Sequence, residues 1–94
     1  MVPITRFRSL DEVIQRANSL PLGLAAYAFT ASNATALAVG EQLKAGMVGV
    51  NTLHVSSPET PFGGVGHSGY GQEGGIEGMQ AYLDVKYIAH AGAP

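Results

Sequence analysis

The residues whose types and spacing could carry chemistry are concentrated in a glycine-rich segment of the C-terminal half. Eight of the 13 glycines lie between Gly63 and Gly78. The segment contains two G-x-G-x-x-G patterns, one beginning at Gly64 and one at Gly69. Such a pattern binds the pyrophosphate of a dinucleotide when it joins a strand directly to a helix. Here the preceding predicted strand ends near Asn51, more than ten residues before either pattern. We therefore expect the glycine-rich segment to be a loop that runs over the surface of a larger protein.

The histidines, serines and carboxylates do not form a known catalytic or metal-binding pattern. The three histidines, at positions 54, 67 and 90, lack the paired spacing of metal ligands, so no metal site is expected. Ser56, Ser57 and Ser68 do not lie in a nucleophile-elbow motif. Without cysteine, the 94 residues contain no disulfide bond and no cysteine nucleophile. The sequence therefore predicts no self-contained catalytic site.

Composition predicts one packed unit, a single partial domain over residues 1–94. Hydrophobic residues make up 46% of the chain and charged residues 13%, which favours a packed α/β element over a disordered tail. A net charge of −2 with dispersed basic residues argues against a nucleic-acid partner. There is no apolar run long enough to cross a membrane, and no secretory signal is visible. We therefore expect a cytoplasmic protein.

Two amphipathic helices are predicted in the first half of the chain. Ser9 and Glu12 form a capping box before the first helix. Ser32 or Asn33 can cap the second helix, which is expected to run to about Ala45. Each helix has apolar or small residues at spacings of three and four, which predicts one buried face. The predicted faces are Leu10, Val13, Ile14 and Ala17 in the first helix, and Ala36, Val39, Gly40 and Leu43 in the second.

Short apolar segments alternate with these helices and are predicted to be strands. They cover Val2–Phe7, Leu24–Thr30 and Met47–Asn51. Because strands that alternate with helices indicate β–α–β units, residues 1–51 should form a βαβαβ unit. The predicted fold class is α/β, with three layers: a mostly parallel sheet and helices on both faces.

The second half is predicted to contain a long loop, a closing helix and a last strand. Residues 52–75 are expected to be irregular, and loops longer than about 12 residues in compact domains are usually functional. Residues 76–94 should contain a helix over 76–83, followed by a strand at Val85–Ala89. That strand would be an exposed edge unless it is paired.

A set of ordered motifs resembles the C-terminal signature of the aldehyde dehydrogenase superfamily. The motifs are Gly46–Asn51, Pro61–Gly64, Ser68–Gly71, Glu73–Gly75 and Gly78, and the similarity covers essentially the whole chain. Within the superfamily, Val55–Gly64 and Glu73–Gly78 are most similar to the succinate-semialdehyde dehydrogenase group. The resemblance implies the C-terminal part of an NAD(P)-dependent oxidoreductase that oxidises a succinic semialdehyde-like substrate to the acid.

The resemblance also implies two substrate-binding residues, Ser56 and Phe62. A serine at the position of Ser56 binds the distal carboxylate of the substrate, and the phenylalanine at the position of Phe62 lines the substrate pocket. Each residue also has a structural interpretation. Ser56 could be a turn residue before Pro58, and Phe62 could anchor the loop. Both interpretations stay open at this point.

By the same resemblance, the catalytic machinery lies upstream of the 94 residues. The family's cysteine nucleophile, general-base glutamate, oxyanion asparagine and main cofactor-binding domain all precede this segment, and Asn51 matches a structural asparagine. We therefore assign no catalytic and no cofactor-binding residue to this chain. NAD or NADP is expected in the full-length parent, with none bound by the chain alone. The chain departs from the family at Gly66 and Gln72, which stand where a lysine and an arginine are usual.

Two partner predictions follow from the resemblance. The first is association with the remainder of an aldehyde dehydrogenase chain, in which this segment supplies pocket wall and oligomer surface and is inactive alone. The second is self-association through the Val85–Ala89 strand. A different hypothesis is a stand-alone truncated remnant that acts as a small self-associating or partner-binding module.

Overall fold

The computed structural model describes residues 1–93 and has three helices and four short strands. Strands β2 and β3 pair in parallel, with Ala25 opposite Met47, while β1 and β4 pair antiparallel. The predicted α/β class is confirmed, and its sheet is here reduced to two separate strand pairs. The helices are α1 (Leu10–Ala17), α2 (Asn33–Gln42) and α3 (Gly75–Gln80); the strands are β1 (Leu22–Gly23), β2 (Ala25–Ala28), β3 (Met47–Val50) and β4 (Val65–Gly66).

Helix α1 begins where the capping signals predict. The Ser9 hydroxyl accepts a hydrogen bond from the Glu12 amide at 3.2 Å. The Glu12 carboxylate accepts from the Arg8 amide at 2.9 Å, one residue earlier than in a standard capping box. On the predicted apolar face, Ile14 is buried. Ala17 is exposed, contrary to the prediction, because it lies at the rim of an open groove.

Helix α2 is capped by Ser32, whose hydroxyl accepts from the Thr35 amide at 3.2 Å. The helix ends at Gln42, three residues before the predicted end. The Asn18 side chain terminates it, because it donates to the Gln42 carbonyl and accepts from the Lys44 amide, both at 2.8 Å. Gly40, predicted to pack, is instead exposed and has no atom within 4 Å of the position a Cβ would occupy.

Helices α1 and α2 and strand β2 enclose an apolar groove of about 570 Å³, here called the helix–strand groove. Its apolar lining includes Leu10, Val13, Phe29 and Leu43. Among residues 1–93, the buried apolar side chains are Ile14, Val39 and Met47, at 5 to 7% exposure. Phe29, by contrast, is 68% exposed. The apolar surface predicted to be core is thus mostly open in the single chain.

Two of the predicted strands are not strands in the described chain. Neither Val2–Phe7 nor Val85–Ala89 has a hydrogen-bonded partner strand within residues 1–93. A strand exists only through its ladder of hydrogen bonds to a neighbour, and here no neighbour is present. The apolar side chains of both segments are exposed as a result. The pairing of Val85–Ala89 with another chain stays a prediction.

Helix α3 is shorter than the predicted closing helix and covers six residues. It continues into a turn, in which the amides of Tyr82 and Leu83 donate to the carbonyls of Met79 and Gln80. Ile76 and Met79 lie on its exposed surface, at 78% and 62% exposure. The predicted helix is therefore present in a shorter form, with its large apolar side chains exposed in the described chain.

The shape of the chain is extended for its length. Its radius of gyration is 18.9 Å, whereas a compact domain of this size has about 12 Å. Among the described residues, no helix combines the length and the apolar character needed to cross a bilayer. The extended shape arises because only the centre of the chain is packed. The loop after β3 leaves this centre, and the two apolar segments near the ends of the described chain lie outside it.

Candidate functional site

The loop that follows β3 begins at Asn51, which turns the chain away from the sheet. Asn51 has a φ of 57°, in the left-handed region, and its amide donates to the Ala28 carbonyl at 2.8 Å. Its side chain donates to the Thr30 carbonyl and accepts from the Thr30 amide, both at 2.8 Å. Asparagine tolerates this conformation better than most residues. The side chain thus continues the β2–β3 ladder by one position and fixes where the loop begins.

A tight turn follows between Ser57 and Thr60. The Thr60 amide donates to the Ser57 carbonyl at 3.1 Å, and the two hydroxyls lie 3.2 Å apart. The Thr60 hydroxyl also accepts from the Ser57 amide at 3.2 Å. The Gly75 amide donates to the Pro58 carbonyl at 3.0 Å, which ties the turn to the start of α3. The Ser57 hydroxyl is therefore engaged within the loop.

Phe62 is held by the far side of the glycine-rich segment. Its amide donates to the Glu73 carbonyl at 2.7 Å, and the Glu73 amide donates back to the Phe62 carbonyl at 2.8 Å. This isolated antiparallel bridge closes the intervening glycine-rich residues into a loop. Phe62 is half-buried, so its backbone anchors the loop while its ring remains available to a cavity. The two interpretations of Phe62 are therefore compatible.

The structure brings both predicted substrate-binding residues to one cavity. This cavity, here called the loop cavity, has a volume of about 420 Å³. Ser56 and Phe62 both line it. Within residues 1–93 the Ser56 hydroxyl has no hydrogen-bond partner, unlike that of Ser57. The loop cavity is lined by Ser56, Ser57, Pro58, Thr60, Phe62, Glu73 and Gly74.

A second cavity, here called the flanking cavity, lies beside the first and has a volume of about 350 Å³. It shares Ser56, Ser57 and Thr60 with the loop cavity, so these hydroxyl residues lie between the two. The flanking cavity also reaches His54 and the backbone of β3. Sequence reasoning missed both Thr60 and His54. The signal for Thr60 was its spacing of three from Ser57, which is typical of a hydroxyl-stabilised turn.

Two carboxylate residues, Glu59 and Glu73, lie in or next to this loop. Hydrogen bonds from its own backbone amide and from the Ser57 hydroxyl lower the pKa of Glu59 below its usual value. Glu59 is therefore ionised at neutral pH. Glu73 is the other carboxylate residue, and it lines the loop cavity itself. Among the described residues, no cluster of histidine and carboxylate side chains is arranged to hold a metal ion.

The glycine patterns do not form a dinucleotide site in this structure. The pattern at Gly64 runs through β4, which pairs with β1 and is followed by a turn. The pattern at Gly69 precedes α3, but no strand enters it. A Cβ at Gly66, where φ is 60°, would lie 2.6 Å from the Pro21 carbonyl oxygen. A Cβ at Gly64, Gly66 or Gly74 would lie less than 3 Å from another atom, whereas at Gly69 and Gly71 no atom lies within 4 Å. Neither glycine pattern joins a strand directly to a helix, as a cradle for the pyrophosphate of NAD or NADP requires.

Comparison with known proteins identifies relatives of this chain. The chain is 55% identical over 82 residues to 4-(hydroxymethyl)benzenesulfonate dehydrogenase TsaD1 of Comamonas testosteroni, covering 87% of this chain and 17% of that protein. It is 44% identical over 92 residues to the mitochondrial succinate-semialdehyde dehydrogenase of Homo sapiens, covering 98% of this chain and 17% of the human protein. The chain thus spans less than one fifth of these relatives.

Solved structures agree with the sequence relatives. Succinate-semialdehyde dehydrogenase from Burkholderia pseudomallei matches with a TM-score of 0.85 and 42% identity, over 89% of this chain and 17% of that one. Betaine aldehyde dehydrogenase from Staphylococcus aureus, solved in complex with NAD+, matches with a TM-score of 0.83 and 39% identity, over 87% and 16%. The profile of the aldehyde dehydrogenase family matches residues 1–88. The chain belongs to the aldehyde dehydrogenase family.

Proposed function

We propose that this chain is the C-terminal part of an NAD(P)-dependent aldehyde dehydrogenase, in which it forms the substrate-pocket wall and part of the oligomer surface. The complete enzyme would convert an aldehyde, NAD(P)+ and water into the carboxylic acid, NAD(P)H and a proton. The observation that carries the proposal is the meeting of Ser56 and Phe62 at one cavity in a member of this family. The chain alone is inactive in this proposal.

The proposed substrate is an aldehyde with an anionic group at its far end, such as succinic semialdehyde. The human relative is named for succinate-semialdehyde, which has a carboxylate, and the Comamonas testosteroni relative is named for a benzenesulfonate, which has a sulfonate. Both anions accept hydrogen bonds from a hydroxyl, and Ser56 has a hydroxyl that is free of partners among the described residues. The Phe62 ring would orient the apolar carbon chain between the anion and the aldehyde carbon.

The open apolar surface supports a role within a larger protein. The helix–strand groove exposes Phe29 together with residues of both helices. Contiguous exposed apolar surface is typical of a site where another part of a protein packs. The occupant we propose is the remainder of an aldehyde dehydrogenase chain, because more than four fifths of each relative lies outside the matched segment.

The test is a chimeric enzyme in which this chain replaces the matching segment of human succinate-semialdehyde dehydrogenase. We expect it to reduce NAD(P)+ when given succinic semialdehyde, followed by absorbance of the reduced cofactor. Ser56→Ala should raise the KM for succinic semialdehyde roughly tenfold, because a hydrogen bond to a charged group contributes about 1.5 kcal/mol or more. Butanal, which has the same carbon chain without the carboxylate, should be affected less than twofold.

Several outcomes would contradict the proposal. A chimeric enzyme that fails to fold, or that folds and oxidises neither aldehyde, would show that this segment cannot serve as an aldehyde dehydrogenase C-terminus. Oxidation of succinic semialdehyde by the purified 94-residue chain would contradict its inactivity alone. An equal rise in KM for both aldehydes in Ser56→Ala would leave Ser56 with a structural role only.

The oligomer surface is proposed to include Val85–Ala89, whose apolar side chains are exposed in the single chain. Tyr87→Pro should shift the chimeric enzyme to a smaller species in sedimentation velocity, because proline cannot donate to a strand ladder. Gly92→Pro, outside the segment and with no atom within 4 Å of a Cβ, is the control and should leave assembly unchanged. If both variants keep the parental sedimentation coefficient, the segment does not pair between subunits.

A further inference from the structure

Ser68 lies inside the glycine-rich segment, and its hydroxyl reaches back to β1. The hydroxyl oxygen accepts a hydrogen bond from the Gly23 amide at 2.8 Å, across 45 residues of sequence. Both residues are half-buried. The hydroxyls that cap α1 and α2 also accept from backbone amides, but those two bonds are exposed. The bond between Gly23 and Ser68 therefore ties the segment to β1 at a place that is partly sheltered from water.

Ser68 also lies against the backbone that leads away from Phe62. A Cβ placed on Gly64 would lie 2.6 Å from Cβ of Ser68 and 2.9 Å from its carbonyl oxygen. The same stretch of backbone is in close contact with the start of β3, because a Cβ on Gly46 would overlap the Gly63 carbonyl oxygen. Gly63 and Gly64 are therefore held between neighbours that leave them little room to move.

Phe62 directly precedes these two glycines, so their position restricts where Phe62 can lie. Phe62, the two glycines and Ser68 line one small cavity of about 190 Å³, while Phe62 also lines the loop cavity. The backbone of Phe62 is held from the other direction by its bridge to Glu73. The place of Phe62 in the loop cavity thus depends on two anchors, which are the bridge to Glu73 and the contact of the glycines with Ser68.

We propose that Ser68 is a positioning residue for the substrate pocket: its hydrogen bond to β1 fixes Gly63 and Gly64, and thereby Phe62. This inference rests on the proposed function and adds a residue that is not among those lining the loop cavity. An alanine at position 68 leaves the half-buried Gly23 amide without this acceptor, which favours movement of the segment toward water. Binding of the carbon chain of the aldehyde then weakens, whether or not the aldehyde carries an anion.

The experiment is steady-state kinetics of the chimeric enzyme with succinic semialdehyde and butanal. Ser68→Ala should raise the KM for both aldehydes roughly fivefold, as for the loss of one hydrogen bond, and leave the KM for NAD(P)+ within about twofold. Ser56→Ala differs, because it should act mainly on succinic semialdehyde. Ser32→Ala is the matched control, since it removes an amide-to-hydroxyl bond of the same kind at the start of α2 and should leave all three KM values unchanged.

A double-mutant cycle tests whether Ser68 acts through Phe62. Phe62→Ala should itself raise the KM for both aldehydes. Adding Ser68→Ala to that variant should raise them by less than about twofold more, because changes at two coupled residues are not additive in free energy. Residues that act independently would instead show the full effect of Ser68→Ala in either background.

The outcomes separate this inference from the proposed function. If the chimeric enzyme oxidises neither aldehyde, the proposed function fails and the role of Ser68 fails with it. If it oxidises both, but Ser68→Ala changes neither aldehyde KM or raises the KM for NAD(P)+ equally, the function stands and Ser68 does not position the pocket. Independent effects in the cycle would likewise overturn the proposal.

A second variant covers the case in which Ser68→Ala does not yield folded enzyme. Ser68→Cys keeps the shape of the side chain but offers only a weak hydrogen-bond acceptor. It should raise the KM for both aldehydes in the same proportion as each other. Parental KM values in folded Ser68→Cys enzyme would show that the hydrogen bond to Gly23 does not place Phe62.

Discussion

Replacing Gly46 by alanine is expected to destabilise the chimeric enzyme by about 3 kcal/mol or more and to remove nearly all of its activity. Gly46 lies directly before β3, where the glycine-rich segment crosses it. A Cβ there would overlap the Gly63 carbonyl oxygen and would lie 2.7 Å from the Gly63 carbonyl carbon and 3.0 Å from Cα of Gly64. Overpacking costs about 1 to 3 kcal/mol when side chains can adjust. Here the obstacle is backbone, so the segment itself must move.

The measurements are urea denaturation and kcat/KM for succinic semialdehyde. Gly40→Ala is the matched control, since the chemical change is identical but no atom lies within 4 Å of the new Cβ. Because Gly40 is inside α2, its replacement by alanine should stabilise the protein by about 0.5 to 1 kcal/mol. If both variants shift the unfolding midpoint alike, the glycine-rich segment does not dock on the start of β3 as the structure shows.

The contrast between Gly46 and Gly40 shows where sequence reasoning succeeded and where it did not. Sequence features predicted α1, α2 and β3 because caps and hydrophobic spacing are local signals. Gly40 was assigned to a packing face because it fitted the period, yet nothing contacts it. Gly46 entered the sequence analysis only as the first residue of a family motif, although its backbone lies against that of Gly63, 17 residues later. Contacts between distant glycines leave no local pattern.

The same limit applies to strands. In the β1–β4 pair, Gly23 lies opposite Val65 and each strand has two residues. Two residues are too few for an alternation of apolar and polar side chains to appear in the sequence. Val2–Phe7 and Val85–Ala89 have strand composition, but a strand also needs a neighbour, and the described chain offers none. Propensity therefore identified segments able to pair, while pairing itself depends on residues elsewhere.

The candidate site was predictable only in part. Ser56 and Phe62 came from the resemblance to a family, and the structure places both at the loop cavity. The sequence assigns no role to His54, because three dispersed histidines fit no metal pattern. Its position beside Ser56 depends on Val55 packing against Gly49, a contact that neither composition nor spacing reveals.

Replacing Asn51 by alanine is the second change with a large expected effect, about 2 to 5 kcal/mol of stability. Two terms contribute. The variant loses both side-chain hydrogen bonds to Thr30, each worth about 0.5 to 1.5 kcal/mol. It also places alanine at a φ of 57°, where an ordinary side chain costs about 1 to 2 kcal/mol. Urea denaturation of the chimeric enzyme measures the sum.

Asn51→Gly separates the two terms, because glycine adopts positive φ freely but has no side chain to bond Thr30. It should be more stable than Asn51→Ala by about 1 kcal/mol and still less stable than the unsubstituted chimeric enzyme. In both variants the KM for succinic semialdehyde should rise more than that for butanal, since Asn51 sets the start of the loop that carries Ser56. Equal stability of the alanine and glycine variants would mean that the left-handed turn at Asn51 is not maintained in the assembled enzyme. An unchanged KM for succinic semialdehyde in both would mean that the loop finds its position without Asn51, through the Ser57–Thr60 turn and the Phe62–Glu73 bridge alone.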